Sequence, residues 1–165
     1  MNLNGLVALN GLVADVIRFS CVDGPGSRFV VFMQGCNFNF SGGHGVGRRS
    51  DPQTPFVAAF FAALGADPQL SRLTRFVDSN GAAPEHVWHD LAPVMDGAMI
   101  DLKAIDPETH LSMTGQPNDQ VLASIRLLAA MGKLVEVRML LLPGVNDSTT
   151  RCGGLATGCT RLIPR

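Results

Sequence analysis

The sequence has few charged residues, no net charge of consequence and no apolar run long enough for a membrane. Charged side chains make up 16% of its 165 residues and the formal net charge is -1, so the chain has no general attraction for nucleic acid or acidic lipid. Its longest apolar stretch, PFVAAFFAALGA from Pro55, is too short to span a bilayer. The N-terminus lacks the basic region of a secretory signal. We therefore expect a cytoplasmic protein without nucleic-acid or membrane partners.

The cysteines also lack the spacing of a metal-binding loop. The sequence has four cysteines, Cys21, Cys36, Cys152 and Cys159, and no pair of them has Cys-x-x-Cys spacing. In a reducing compartment they are thiols or metal ligands rather than disulfides. Cysteine spacing by itself therefore predicts no metal site.

Apolar periodicity predicts strands that alternate with helices. Strands are predicted at 27–35, 73–81, 96–104 and 134–144. Helical segments are predicted from Thr54, its N-cap, to near Gly65, and at 83–94, 106–115 and 117–133. This order implies βαβ units and a parallel sheet, so the predicted fold class is α/β.

Polar residues stand at or just beyond the carboxyl end of each predicted strand, at 34–36, 78–80, 101–103 and 146–147. The carboxyl ends of parallel strands meet at one edge of a sheet, and functional residues gather there. The pattern therefore predicts a shared site at that edge, which we call the rim. The alternative is that these Asp and Asn residues only form turns and cap helices.

Four motifs resemble those of the glycyl-radical-enzyme activating proteins of the radical SAM superfamily. They are FSCVDGPGSRFVVFMQGCN (19–37), FVDSNG (76–81), DGAMIDLKA (96–104) and VEVRMLLLPGVND (135–147), and the later part is most similar to the YjjW-type branch. The resemblance implies an incomplete partial (βα) barrel of radical SAM type at 19–147. We expect it to follow an N-terminal extension at 1–18 that carries a short NGLVA duplication, and to precede an unstructured or out-of-frame tail at 148–165.

The resemblance also implies a chemistry. Proteins of that family hold a [4Fe–4S] cluster on a Cys-x-x-x-Cys-x-x-Cys loop, bind S-adenosylmethionine at its open iron and generate a radical. The radical takes a hydrogen atom from a glycine of the partner, a glycyl radical enzyme, and a flavodoxin-type protein is the implied electron donor. Cys36 matches the first cluster cysteine as metal ligand, but Phe40 and Gly43 stand at the other two positions. One thiolate cannot hold a four-iron cluster, so we expect no activity from the chain as written and assign no catalytic residue.

A second alignment of this segment assumes an internal deletion near 37–55. Residues 40–43 then resemble the approach to the family's Gly-Gly-Glu motif, with His44 in place of the glutamate. Gly42 and Gly43 would contact the methionine part of the cofactor. In both alignments two cluster cysteines are absent and one inner strand is missing or damaged.

Six further residues resemble cofactor and cation contacts of the family: Asp78, Ser79, Met99, Asp101, Lys103 and Arg138. The first four would form a monovalent-cation pocket, in which Met99 contributes its backbone carbonyl. Lys103 and Arg138 would face the cofactor. The structural alternatives are an ion pair between Asp101 and Lys103 and a surface position for Arg138.

Three functional hypotheses follow from the sequence. The chain is a working activase with an unseen cluster arrangement, a non-catalytic remnant of one, or a partner-binding module without a cluster.

Overall fold

The computed structural model describes residues 10–22, 25–36, 38 and 53–146. The helices and strands in these ranges, in chain order, are β1 (Val13–Ser20), β2 (Arg28–Met33), α1 (Thr54–Ala66), β3 (Phe76–Ser79), α2 (Glu85–Leu91), β4 (Gly97–Asp101), α3 (Pro107–Thr114), α4 (Asp119–Ala130) and β5 (Leu134–Arg138).

Strands β3, β4 and β5 form a parallel sheet in that order. Ser79 pairs with Ile100 across the first ladder, and Asp101 pairs with Arg138 across the second. Helix α2 connects β3 to β4, and α3 and α4 connect β4 to β5. The predicted α/β class with a parallel sheet is confirmed.

One face of the sheet carries the hydrophobic core. Side chains alternate along β4, so Ala98 and Ile100, both fully buried, point toward the helices, while Met99 and Asp101 point to the other face. Helices α2 and α4 supply most of the remaining core side chains, which are Val87, Trp88, Leu91, Val121, Ile125 and Leu128. The opposite face has the polar side chain of Asp101 at the carboxyl end of β4.

Strand β2 pairs with β1 in an antiparallel hairpin and, among the described residues, is not part of the parallel sheet. Strand β1 was not predicted from the sequence, and β2 was expected to join the parallel strands. Several large apolar side chains of this hairpin are exposed: Phe19 is 69% exposed, Val22 86% and Phe29 63%. The polypeptide therefore has a hairpin and a parallel sheet rather than one continuous sheet in its described part.

Most predicted segments extend beyond the observed elements, by the most at β5, and the predicted N-cap of α1 is wrong. Strand β5 ends at Arg138 rather than at residue 144, because its partner β4 ends at Asp101 and offers no further ladder. The N-cap of α1 is Gln53 and not Thr54. The Gln53 side chain does not cap the helix but donates to the carbonyl oxygens of Leu12 and Gln34, which ties α1 to the hairpin.

In the described ranges, no helix combines the length and the apolar character that crossing a membrane requires.

Candidate functional site at the rim of the parallel sheet

The carboxyl ends of β3, β4 and β5 carry one connected set of charged side chains. Arg138 Nη2 donates to Asp78 Oδ1, and Arg138 Nε forms an ion pair with Asp101 Oδ1 at 3.1 Å. Lys103 Nζ donates to Asp101 Oδ2 at 3.3 Å, and Glu136 Oε1 lies 3.6 Å from Arg138 Nε. The three strands thus bring together four of the residues that the sequence predicted for the site.

The strand register explains this cluster. Asp101 lies opposite Arg138, and Asp78 lies opposite Met99, two residues before Asp101 on β4. Residues two apart on a strand share a face, so these side chains project from the same side of the sheet. Arg138 is long enough to reach across β4 to the carboxylate on β3.

The cluster is half-exposed and held by opposite charges. Burial lowers the pKa of Arg138, but the hydrogen bond to Asp78 and the charges of Asp78, Asp101 and Glu136 outweigh it, so the pKa is raised overall. The side chains of Arg138, Asp78 and Asp101 are 31%, 41% and 38% exposed. A half-exposed surface with charges of both signs, here three negative and two positive, offers partners for a small ligand that carries both positive and negative groups.

Ser79 does not join the cluster. Its hydroxyl accepts a hydrogen bond from Gly81 N, in the turn that follows β3. In the same turn Asn80 Oδ1 accepts from Ala82 N. Gly81 has φ +75°, a conformation that favours glycine. The monovalent-cation pocket implied by Asp78, Ser79, Met99 and Asp101 stays a prediction. In the structure Arg138 contacts both of its carboxylates.

Cys36 lies where the chain leaves β2. It is half-buried and packs against the hydrophobic core, and Asn80 Nδ2 lies 3.8 Å from its sulfur. This contact joins the end of the hairpin to the turn after β3. The predicted residues Gly42 and Gly43, and positions 40 and 44, lie outside the described residues.

The donor set does not fit a [4Fe–4S] cluster. Three thiolates are needed, and the sequence places phenylalanine and glycine where the second and third would stand. The described ranges contain two cysteines, Cys21 and Cys36, and both are free thiols. Cys21 is exposed and directly follows β1. Those ranges contain no cluster of three or more His, Cys, Asp or Glu side chains that could hold a metal ion.

Buried amides that support the rim were only partly predicted. Asn146, 2% exposed, donates from Nδ2 to the carbonyl oxygens of Lys103 and Leu140. Asn118, also 2% exposed, donates to the carbonyl oxygens of Ala104 and Ile105. Asn146 belongs to a predicted polar segment, whereas Asn118 was missed because an Asn before a helix usually signals only a cap. Both fix the backbone that carries Lys103.

Comparison with known proteins gives a consistent result. No family model matches the chain. The pyruvate formate-lyase-activating enzyme of Streptococcus mutans is 28% identical over 179 residues, covering 84% of this chain and 68% of the relative. The enzyme of the same name from Staphylococcus aureus strain USA300 is 27% identical over 180 residues, covering 84% and 71%.

The alignment with the Streptococcus mutans enzyme has more positions than the number of residues that this chain contributes to it. It extends over 179 positions, and 84% of 165 residues is about 139. About 40 of the aligned positions, 179 less 139, therefore carry no residue of this chain.

A solved structure is similar in fold. The crystal structure of a domain of pyruvate-formate lyase-activating enzyme from Bacteroides vulgatus superposes with a TM-score of 0.55 at 23% identity, covering 74% of this chain and 75% of that one. The fold is therefore α/β, consistent with a partial radical SAM barrel. The chain is thus similar over 84% of its length to curated pyruvate formate-lyase-activating enzymes.

Proposed function

We propose that this protein is a non-catalytic relative of the glycyl-radical-enzyme activases, which lacks the [4Fe–4S] cluster and does not cleave S-adenosylmethionine. The observation that carries the proposal is the single thiol at the end of β2. Cys36 has an amide and core side chains around it, and Phe40 and Gly43 stand at the other cluster positions. Soft sulfur ligands are what hold iron in such a cluster, and one is too few.

Two observations support the loss of a segment after β2. About 40 aligned positions of the Streptococcus mutans enzyme have no counterpart in this chain. In the described residues β2 also pairs with β1 and not with the parallel sheet that begins at β3. A strand deleted from between β2 and β3 accounts for both.

The rim nevertheless keeps its charged residues. Asp78, Asp101, Lys103 and Arg138 remain one ion-paired cluster, and we assign them the binding of anionic and cationic groups of a cofactor such as S-adenosylmethionine. Without a cluster this is binding only. No electron donor of flavodoxin type is then required, and the reducing cytoplasm is the compartment we propose.

The decisive experiment is anaerobic reconstitution with iron and sulfide, followed by analysis of both elements and by visible absorption. We expect far less than one iron per chain for the natural sequence. The matched variant Phe40→Cys with Gly43→Cys restores the Cys-x-x-x-Cys-x-x-Cys spacing. If only the cysteines were lost, this variant gains about four irons per chain.

The remaining outcomes distinguish the two alignments from each other and from a working enzyme. Failure of both proteins to bind iron favours the internal deletion. About four irons on the natural sequence, together with cleavage of S-adenosylmethionine under reduction, would overturn the proposal.

A second candidate function is recognition of a glycyl radical enzyme without chemistry. The exposed apolar side chains Phe19, Val22 and Phe29 of the hairpin favour it, because clustered exposed apolar groups mark interaction sites. Iron-free protein should then bind a purified pyruvate formate-lyase, and Phe29→Ser should weaken binding. No association at micromolar concentration would eliminate this candidate.

A further inference from the structure

His110, on α3, is a buried polar side chain with one unpaired ring nitrogen. The residue is 0% exposed, and no partner in the described residues accepts from or donates to Nε2. Native proteins rarely leave a buried polar atom unpaired, so such an atom calls for a physical explanation.

The hydrogen bond of the other ring nitrogen, Nδ1, shows which nitrogen carries a hydrogen. Nδ1 lies 3.0 Å from the carbonyl oxygen of Gln116, which can only accept, so Nδ1 carries the hydrogen. The hydroxyl of Thr114 donates to the carbonyl oxygen of His110 at 2.8 Å and lies 3.0 Å from that of Gln116 and 3.2 Å from His110 Nδ1, so its contacts are on the Nδ1 side of the ring. In its neutral form His110 therefore keeps the hydrogen on Nδ1 and has an unpaired Nε2 lone pair in the protein interior.

The imidazole packs against the segment that carries Cys36. The rings of His110 and Phe38 are 5.5 Å apart at 84°, an edge-to-face arrangement. Phe38 is 7% exposed and belongs to the hydrophobic core, and it follows Cys36 by two residues. Helix α3 thus reaches the chain just beyond β2 through one aromatic pair.

We propose that His110 is a positioning residue for Cys36: its neutral ring holds Phe38 in the core and so keeps the Cys36 thiol against Asn80 at the rim. Protonation of Nε2 places an unpaired cation in the interior and releases Phe38. This inference rests on the packing of His110 against Phe38 and on the titration of the buried ring, and it does not depend on the proposed function.

The groups around His110 determine whether its contact with Phe38 is favoured at high or at low pH. Burial lowers the pKa of His110, the Gln116 carbonyl opposes that effect, and the positive charge of Lys103, after β4, lowers it further. Of the described groups, Lys103 is the charge that acts on the ring, and the Phe38 segment brings none. The folded state in which Phe38 packs against His110 is thus fully stable above the pKa of the unfolded histidine, near 6.5. It loses stability as pH falls below that value and through the lower pKa of the folded protein.

The test measures how strongly the fold protects Cys36 from a thiol reagent. Cys21→Ser, Cys152→Ser and Cys159→Ser leave Cys36 as the one thiol. The labelling rate in denaturant divided by the native rate at the same pH gives a protection factor that cancels thiolate chemistry. We expect this factor to fall at least about threefold between pH 7.5 and pH 5.

Two variants and a control complete the test. His110→Asn keeps the hydrogen bond to Gln116 but has neither the aromatic contact nor the titration, so its protection should be low and independent of pH. Phe38→Leu should weaken protection but keep its dependence on pH. His89→Asn, at an exposed histidine of α2 that pairs with Glu85, should leave the profile unchanged.

The proposal is overturned if natural protection does not change with pH, if His110→Asn keeps the natural profile, or if His89→Asn abolishes it. A second readout covers the case in which His110→Asn fails to fold. Imidazole nitrogen chemical shifts of the unsubstituted chain should show the Nδ1–H form of His110 at neutral pH. An Nε2–H form would contradict the proposal.

Discussion

Arg138 and Asp78 are joined across β4, the strand that lies between them. The guanidinium leaves β5, passes Asp101 and donates to the carboxylate at the end of β3. One side chain therefore connects the carboxyl ends of all three parallel strands.

Replacing Arg138 with methionine should destabilise the protein modestly. The change leaves Asp78 and Asp101 without their common counter-ion, but these groups are half-exposed, so we expect a loss of about 1 kcal/mol in the free energy of unfolding. Urea denaturation measures it, with exposed Arg126→Met on α4 as the control. The loss should shrink in 1 M salt, where charges are screened over about 3 Å; a loss unaffected by salt would point to packing instead.

At the other end of the sheet, Asp96→Asn should make stability less dependent on acid pH. The hydrogen bond from the Arg75 side chain is the largest influence on Asp96 and lowers its pKa; burial opposes this, and the Arg75 amide and nearby positive charges add to the lowering. A lowered folded pKa stabilises the protein above the unfolded value of 3.8, and that contribution is lost as pH falls through the folded pKa.

The free energy of unfolding of the natural protein should therefore be about 1 kcal/mol larger than that of Asp96→Asn at pH 7. This difference in stability should become smaller toward pH 3. Thermal unfolding across this range tests it. The same substitution at exposed Asp90 should give no such convergence, and a constant difference at Asp96 would show that ionisation is not its origin.

Ser124→Ala should cost about 1–2 kcal/mol, because it leaves a buried donor unpaired. Trp88 Nε1 donates to Ser124 Oγ at 2.8 Å, and both residues are 1% exposed. Trp88 is the one tryptophan of the chain, so its fluorescence follows unfolding directly. Ser112→Ala, at an exposed position of α3, is the matched control, and an equal effect at both serines would remove the hydrogen bond as the cause.

Two glycines with the same backbone conformation separate strain from crowding. A Cβ at Gly81 would meet Ile100 Cγ2 at 2.8 Å and Val121 Cγ1 at 3.0 Å, whereas one at Gly132 meets no atom within 4 Å. Gly132→Ala should cost about 1 kcal/mol for its positive φ alone. Gly81→Ala should cost about 3 kcal/mol, since it adds overpacking of the core. Equal losses in urea denaturation would mean that the side chains around Gly81 move aside freely.

The parallel part of the fold was predictable because its signals are local. Helix α4 has its apolar residues on one side and ends before a glycine with φ +66°, and both features are visible in the sequence. Strand β1 was not predicted because it depends on pairing with β2, which no local pattern of residues 13–20 encodes. The predicted strand at 134–144 was too long for the same reason. Leu140 and Leu141 favour a strand but have no ladder partner among the described residues.

The rim was predictable in position but not in pairing. Polar residues at the strand ends indicated that Asp78 and Asp101 would meet at one edge, and the family resemblance implied that Arg138 would face the same site. That Arg138 would reach past Asp101 to Asp78 depends on the register of two ladders, which the sequence does not specify. The ring contact between His110 and Phe38 was missed for a similar reason, because it joins segments that are distant in the chain.

The sequential order β3-β4-β5 has a consequence for synthesis on the ribosome. Each strand of the sheet docks on the one made just before it, so the growing chain never waits long for a partner. Lys103 is made directly after β4 and pairs with Asp101, and β5 later adds Arg138, which contacts both Asp78 and Asp101. The carboxylates at the ends of β3 and β4 therefore gain the counter-ion that they share only when the last strand of the sheet is made.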